Sequence, residues 1–303
     1  MYNQITKIIS EERLRWQEPL SLHTSFKVGG PADVMVFPES IGEIQQLVKT
    51  CRQEQIPFIV LGLGSNVLFP DRGFRGVVIK LGQALKGLHI SGEEIMAEAG
   101  IRLAHLSKKA AANSLSGLEF AEGIPGSVGG AVVMNAGAYN GEMSQILTAV
   151  SALDSQGDMH TFKFEEMAFN YRSSIFQSSD WIVVSALMKL SPGKREEIEA
   201  QMREFAKLRR EKQPLDMPSA GSTFKRPSGI YVGPLLEQMG LKGFKIGDAQ
   251  VSTKHAGFIV NCGQATAQDI LDLIKHIQER ALAEHNIMLE PEVRIIAETI
   301  DNY

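Results

Sequence analysis

Cysteine is nearly absent from this chain: only Cys51 and Cys262 occur, far apart and without C-x-x-C spacing. That excludes a disulfide framework and leaves buried, reduced thiols as the expectation. Long apolar runs are also missing, the best of them (58–63) falling far short of the ~20 residues that span a bilayer. The start, M-Y-N-Q-I-T-K-I-I-S-E-E-R-L-R-W, lacks the uninterrupted apolar region of a secretory signal, so a cytoplasmic protein without membrane insertion is expected. There is no excess of positive charge. With 31 Lys and Arg against 35 Asp and Glu the net charge is −4, which provides no basic field for nucleic acid. Any anionic ligand must therefore be held by local arrangement. The seven histidines form no H-E-x-x-H pair or ligand cluster, and there is no G-x-S-x-G elbow. No metal site is expected, and metal-assisted or triad hydrolysis is set aside.

What the chain does contain is glycine, concentrated where side chains would obstruct a ligand. The stretch 117–139, G-L-E-F-A-E-G-I-P-G-S-V-G-G-A-V-V-M-N-A-G-A-Y, has a middle of glycine, proline and serine. Bare main chain approaches ligands closely and turns through positive φ, and successive N–H groups form an anion-binding concavity. A glycine-rich bend in an ordinary core is the alternative.

The pattern along the chain is mixed α and β, with ~2 domains for 303 residues. Residues 1–20 carry Ile5, Ile8, Ile9 and Leu14 near helical spacing, which predicts a short helical segment. A strand over 32–37, a helix opened by a Ser40-x-x-Glu43 capping box, and a buried strand over 58–61 make a βαβ unit. Its second strand runs into G-L-G-S-N at 62–66, the carboxyl end of a strand where ligands gather. This loop is neither common nucleotide motif. Val67 stands where a dinucleotide fingerprint needs glycine, no acid occurs between Asp71 and Glu93, and the chain has no G-K-[ST].

Further strands are expected over 90–99, 148–162 (a hairpin about 155–157), 181–190, 257–261 and 291–296, with helices about 103–110, 198–208 and, capped by Thr266 and Asp269, 267–281. Pro192-Gly193 is the best linker, which divides the chain into 1–20, 21–192 and 193–303. Helix end 209–212, with Arg209, Arg210 and Lys212, reads as a solvated basic terminus.

Three polar features stand out. Ser222, between Gly221 and Thr223, is either a turn serine or a hydroxyl aimed into a pocket. Arg172, among Phe169, Tyr171, Ile175 and Phe176, either grips a carboxylate or phosphate or stacks on Tyr171. Glu292 and Arg294 share one strand face, as an edge ion pair or as working groups that are costly to bury otherwise.

Six motifs in order resemble the UDP-N-acetylenolpyruvoylglucosamine reductase family: H-T-S-F-K-V-G-G-P-A, G-L-G-S-N-V-L, the stretch 117–139, F-N-Y-R-S-S-I-F, P-S-A-G-S-T-F-K-R-P and L-E-P-E-V-R-I-I. The resemblance covers nearly the whole chain after Leu20. It implies an α+β, PCMH-type (vanillyl-alcohol oxidase-like) FAD-binding domain of two subdomains and a C-terminal α+β substrate domain. FAD would contact Thr24, Gly29, Gly30, Gly62, Gly64, Ser65, Asn66, Ile124, Pro125, Gly126, Ser127, Gly129, Gly130 and Asn135. NADPH would reduce FAD, and hydride would then pass to the enol ether of a UDP-sugar in peptidoglycan precursor synthesis. Arg172 and Glu292 would stabilise the developing charge and Ser222 would supply the proton. Tyr139, Lys212, Arg226 and Arg294 would face the substrate. A carboxylate beside developing negative charge needs protonation or orientation by Arg294, so a raised pKa is expected at Glu292. The chain lacks room between Tyr171 and Pro192 for the extra tyrosine loop of the family's longer form, and Arg226 replaces that form's asparagine. It resembles the shorter form. A flavin oxidase acting on a small alcohol and a non-catalytic nucleotide-binding module are the alternatives.

Overall fold

The computed structural model describes residues 2–82, 85–177 and 180–297. At the N-terminus the expected helical segment forms as short turns and gives way to a strand at Leu14. Tyr2–Gln4 and Glu11–Arg13 make 3-10 turns, Ile5–Ile8 makes an α-helical turn, and Leu14–Pro19 forms strand β1, antiparallel to β2 (Pro31–Val36). Ile5 and Ile9 are fully buried anchors. Beyond them the open edge of β2 offers a backbone ladder that local helix spacing does not outweigh.

The βαβ unit forms as expected. Helix α1 (Ile41–Gln53) follows β2 and leads to β3 (Phe58–Leu61). Ser40 Oγ accepts from the Glu43 N–H at 3.1 Å. The other half of the expected capping box is absent, because the Glu43 carboxylate instead accepts from the Glu39 N–H (2.7 Å) and takes a bidentate pair of bonds from Arg13 (both 2.8 Å). After the short β4 (Val67–Leu68), β5 (Phe74–Lys80) inserts between β2 and β3, giving the order β1-β2-β5-β3 with the last three strands parallel. Both faces of this trio are covered. Val34, Val36, Val77 and Ile79 enter one core while Met35 and Val78 enter another, the alternation that period-two geometry imposes.

The second sheet is wholly antiparallel. Hairpin β6 (Leu88–Ser91) and β7 (Glu94–Glu98) is followed by helices α2 (Leu103–Ala112) and α3 (Val128–Val133). Hairpin β8 (Leu147–Leu153) and β9 (Met159–Lys163) comes next, then β10 (Ile182–Lys189), in the order β9-β8-β10-β7-β6. Ile95, Ala97, Val150 and Val184 join the first sheet's residues in one core, to which α1 adds Ile44, Leu47, Val48 and Cys51. Burial pushes the Cys51 thiol up to about 12, as suits an inert core cysteine.

Helix α4 (Arg195–Lys212) lies beyond the expected boundary after Pro192, yet it packs Ile198 and Met202 against Ala111 of α2. The remaining elements are α5 (Val232–Gln238), the meander β11 (Lys245–Ile246), β12 (Ala249–Val251) and β13 (Ile259–Asn261), then α6 (Ala267–His285) and β14 (Arg294–Ile295). The capping box of Thr266 and Asp269 is complete. The core of this part also receives Phe26, Val28 and Leu68 from the N-terminal part. Two polar clamps reinforce the union. Asp71 accepts from the Ala267 and Gln268 N–H groups at the start of α6 (2.7 and 3.0 Å), where the helix dipole favours a carboxylate. β14 pairs in parallel with β4, so the expected strand over 291–296 is only as long as its two-residue partner. The architecture is α+β, and among the described residues no helix is long and apolar enough to cross a membrane.

Candidate active site

Strand β3 ends at Leu61, and loop 62–66 carries its direction into a cavity of about 1050 Å³. Part of this cavity's lining is the uncharged loop 62–66 itself. Among the described residues, none of the N–H groups of Gly62, Leu63, Gly64, Ser65 or Asn66 donates to a protein acceptor. Five successive N–H groups without a protein acceptor, on residues that line the cavity, form a concavity suited to an anion. Gly64, at φ +70°, has no room for a side chain, since a Cβ would stand 2.0 Å from the His23 carbonyl oxygen. Gly126 differs. A Cβ there would meet only Ser65 Oγ at 3.9 Å, so glycine keeps cavity space open and is not required by packing. The two loops touch, for a Cβ on Gly62 would approach Ser127 Oγ to 2.6 Å. Ile124, Pro125, Gly129 and Gly130 complete this lining.

Another part of the lining is built from side chains. The turn Asn170 to Ser173 closes with reciprocal main-chain hydrogen bonds of 3.1 Å and holds Arg172 at φ +52°. This left-handed conformation costs a non-glycine residue roughly 1–3 kcal/mol and persists only where surroundings enforce it. Arg172 is enforced by three acceptors: Nε donates to Glu292 Oε1 (2.9 Å), Nη2 to Gly137 O (2.7 Å) and Nη1 to Asn135 O (3.4 Å). The Glu292 N–H donates to Thr223 O at 2.8 Å, which ties the catalytic-candidate carboxylate to the residue next to Ser222. Thr223 is itself fixed, its N–H bonded to Gly257 O and its hydroxyl to the Ile259 N–H. Ser222 lines the cavity, and among the described residues its hydroxyl has no hydrogen-bond partner. The three segments bearing Arg172, Ser222 and Glu292 thus meet on one surface.

Burial raises the Glu292 carboxyl above its ordinary value, and this outweighs the opposing pull of the Arg172 guanidinium. The raised value is the expected one, but the partner is not. Arg294, one of the two expected ways of accommodating Glu292, lines the cavity, and its side chain has no protein partner among the described residues. The backbone instead locks the strand in place: Asn66 Nδ2 donates to Glu292 O (3.1 Å) and the Arg294 N–H to Asn66 O (3.1 Å).

Seven of the expected contact residues lie outside the cavity lining. Thr24 is buried and donates to Val28 O (2.9 Å). Gly29 and Gly30 serve packing, with a Cβ on Gly30 falling 2.0 Å from Asp71 O. Asn135 is fully buried and bonded on both ends of its amide, to Glu142, Asn170 and the Ser144 N–H. Tyr139 donates to Phe205 O (3.2 Å), Lys212 is exposed at the end of α4, and Arg226 is exposed and stacks over Tyr231.

Arg209 was not among the expected site residues. Its place in a basic helix end suggests a solvated side chain, but it is only 7% exposed and lines the cavity. The signal was the helical stripe: Arg209 follows Ile198 and Met202 at eleven and seven positions, on the face that turns inward. Burial lowers its pKa, while arginine stays cationic in proteins. An unpaired buried cation costs roughly several kcal/mol, more than its stacking on Tyr139 returns.

Comparison with known proteins agrees with this geometry. Residues 32–163 match the family model described as an FAD binding domain, and residues 213–296 match that of the UDP-N-acetylenolpyruvoylglucosamine reductase C-terminal domain. The chain is 57% identical to the UDP-N-acetylenolpyruvoylglucosamine reductase of Syntrophomonas wolfei over 98% of this chain and all of that protein. It is 47% identical to that of Caldanaerobacter subterraneus over 98% of both. The crystal structure of the Thermus caldophilus reductase superposes with a TM-score of 0.79 at 38% identity, covering 94% of this chain and 100% of the other. A 4-ethylphenol oxidase from Gulosibacter chungangensis shares the fold alone over 62% of this chain and 42% of its own (TM-score 0.50, 17% identity).

Proposed function

The chain belongs to the UDP-N-acetylenolpyruvoylglucosamine reductase family, and from that premise we propose that its cavity binds FAD and reduces the enolpyruvyl sugar nucleotide at the expense of NADPH, in peptidoglycan precursor synthesis. The chain is an FAD-dependent oxidoreductase by membership, and the residues present fit the group. The free N–H groups of residues 62–66 and the open space over Gly126 suit a pyrophosphate, with Ser65, Asn66, Ser127, Gly129 and Gly130 around it. Bound FAD supplies the hydride chemistry.

The chain's own side chains supply charge and a proton. The observation that carries the reading is the unpartnered Ser222 hydroxyl beside a carboxylate–guanidinium pair in the same cavity as the main-chain nest. Ser222 Oγ–H gives its proton to the carbon next to the substrate carboxylate, a strongly basic centre that a weak acid suffices to quench. Arg172 has five N–H donors and uses three on protein acceptors, so two remain for the substrate carboxylate. Glu292, its Oε1 engaged by Arg172 and its pKa raised by burial, holds that guanidinium in place where negative charge grows. Preorganised donors of this kind supply much of the rate in such steps. The cavity, about 1050 Å³, is at the upper end of the ~300–1,000 Å³ of ordinary ligand sites, as suits a cofactor plus substrate.

The test is anaerobic reduction of the purified flavoprotein with NADPH, followed by the enolpyruvyl sugar nucleotide. Return of the oxidised absorbance is expected. A flavin that stays reduced until oxygen is admitted would instead support an oxidase.

A further inference from the structure

Arg209 stands on the cavity lining in a setting that no protein group completes. Its guanidinium lies 5.5 Å from the centre of the Tyr139 ring, which is stacked in turn on Phe205 at 4.3 Å. One long bond, 3.4 Å from Nη1 to Gln213 Oε1, is its only hydrogen bond to protein among the described residues. Nε and Nη2, the two donors along one edge of the guanidinium, are buried and unpartnered. Glu122 is the neighbouring acid, yet it forms no ion pair with Arg209, and its own Oε2 is buried without a partner. Gly123 leaves the guanidinium its place, since a Cβ there would meet Arg209 Cδ and Nε at 3.1 Å.

Two parallel N–H donors on one edge of a planar cation match two oxygens of a phosphate or carboxylate. The substrate carboxylate is bonded to the carbon that receives the proton, which places it with Ser222, Glu292 and Arg172. Phosphates lie further along each ligand. Building on the function proposed above, we infer that Arg209 is an anion-binding residue that receives a phosphate group of a nucleotide held in this cavity. FAD, NADPH and the UDP-sugar all carry that chemistry; we assign the phosphate to FAD or the UDP-sugar, which are separable by experiment.

Arg209→Gln is titrated in two arms. In the first, flavin-loaded protein is titrated with UDP by calorimetry; in the second, protein stripped of flavin is titrated with FAD and with riboflavin, which has no phosphate. Loss of one charge-assisted phosphate contact lowers affinity about 10- to 100-fold. A loss for UDP with FAD binding unchanged assigns the phosphate to the sugar nucleotide. A loss for FAD but not for riboflavin assigns it to the cofactor. UDP and FAD affinities both within twofold of the parent overturn the inference, even if the variant melts at lower temperature. Glu122→Gln serves as the second variant. If Arg209 only serves an internal pair with Glu122, Glu122→Gln reproduces the losses of Arg209→Gln; a phosphate receptor predicts that it does not weaken UDP or FAD. Failure of the family reading looks different, because then the parent protein itself would show no reoxidation by the sugar nucleotide.

Discussion

Along residues 62–66 the cavity is lined by one continuous loop with no charged side chain. Around Ser222 it is lined by side chains from three distant segments, each held by hydrogen bonds to the others' neighbourhoods. The first region recognises by unspent N–H groups and depends on glycine geometry. The second acts through protons and charges and depends on tertiary convergence. Damage to the first should empty the site, whereas damage to the second should leave it loaded but slow.

The sharpest way to break this contrast is Ser222→Ala. Removing the proton donor should slow reoxidation of reduced flavin by the sugar nucleotide about 10²- to 10⁴-fold and leave reduction by NADPH within a few-fold. Rapid-mixing absorbance measures both halves, and equal losses in each would put Ser222 among binding residues instead.

Arg172→Gly should cost about 10²- to 10³-fold in the same half-reaction. Because φ +52° favours glycine, it should also relieve backbone strain. Slowed turnover with no drop in melting temperature is the expected signature, and a large drop would mean that the three hydrogen bonds of Arg172 matter more to folding than its strain.

The glycine region can be sharpened by pairing two substitutions. Gly64→Ala places a Cβ 2.0 Å from the His23 carbonyl oxygen at a positive φ, and it should lower stability by about 2 kcal/mol or more and yield protein poor in flavin. Gly126→Ala meets no protein atom closer than 3.9 Å, so it should keep its melting temperature while FAD affinity falls about tenfold. Absorbance ratios and thermal melts of the two variants decide the matter; similar melting losses would deny that Gly126 serves a ligand.

The smallest effect concerns pH. Glu292 has a folded pKa above its ordinary 4.5 because of burial, so its contribution to stability is complete below 4.5 and is lost as pH rises through the raised value. Relative to Glu292→Gln, whose side chain does not titrate, the parent should lose stability across that window. Urea midpoints of both proteins at several pH values measure the difference, and parallel profiles would show that the pairing with Arg172 cancels the burial.

Much of this was legible in the chain. The βαβ unit, the hairpins about 92 and 156 and the helix of 267–285 follow from periodicity and capping residues that act within a few positions. Loop 62–66 was legible for the same reason: glycine spacing after a buried strand is local. The N-terminal helical segment ends earlier than its spacing suggests, at Arg13, because the pairing edge of β2 is not a local property. Arg294 was offered as one way to orient Glu292 because it is the neighbour in sequence, while Arg172 reaches Glu292 only through the fold.

What the sequence alone determined, then, is the set of elements, the glycine loop and the types of side chain available, since each depends on short-range sterics and hydrogen bonding. Only the tertiary structure decided that Arg172 clasps Glu292, that Arg294 lines the cavity apart from it, and that Arg209 is buried with two of its nitrogens unpartnered. Burial and long-range pairing decide the energy of a charge, and neither exists until the two cores close around it.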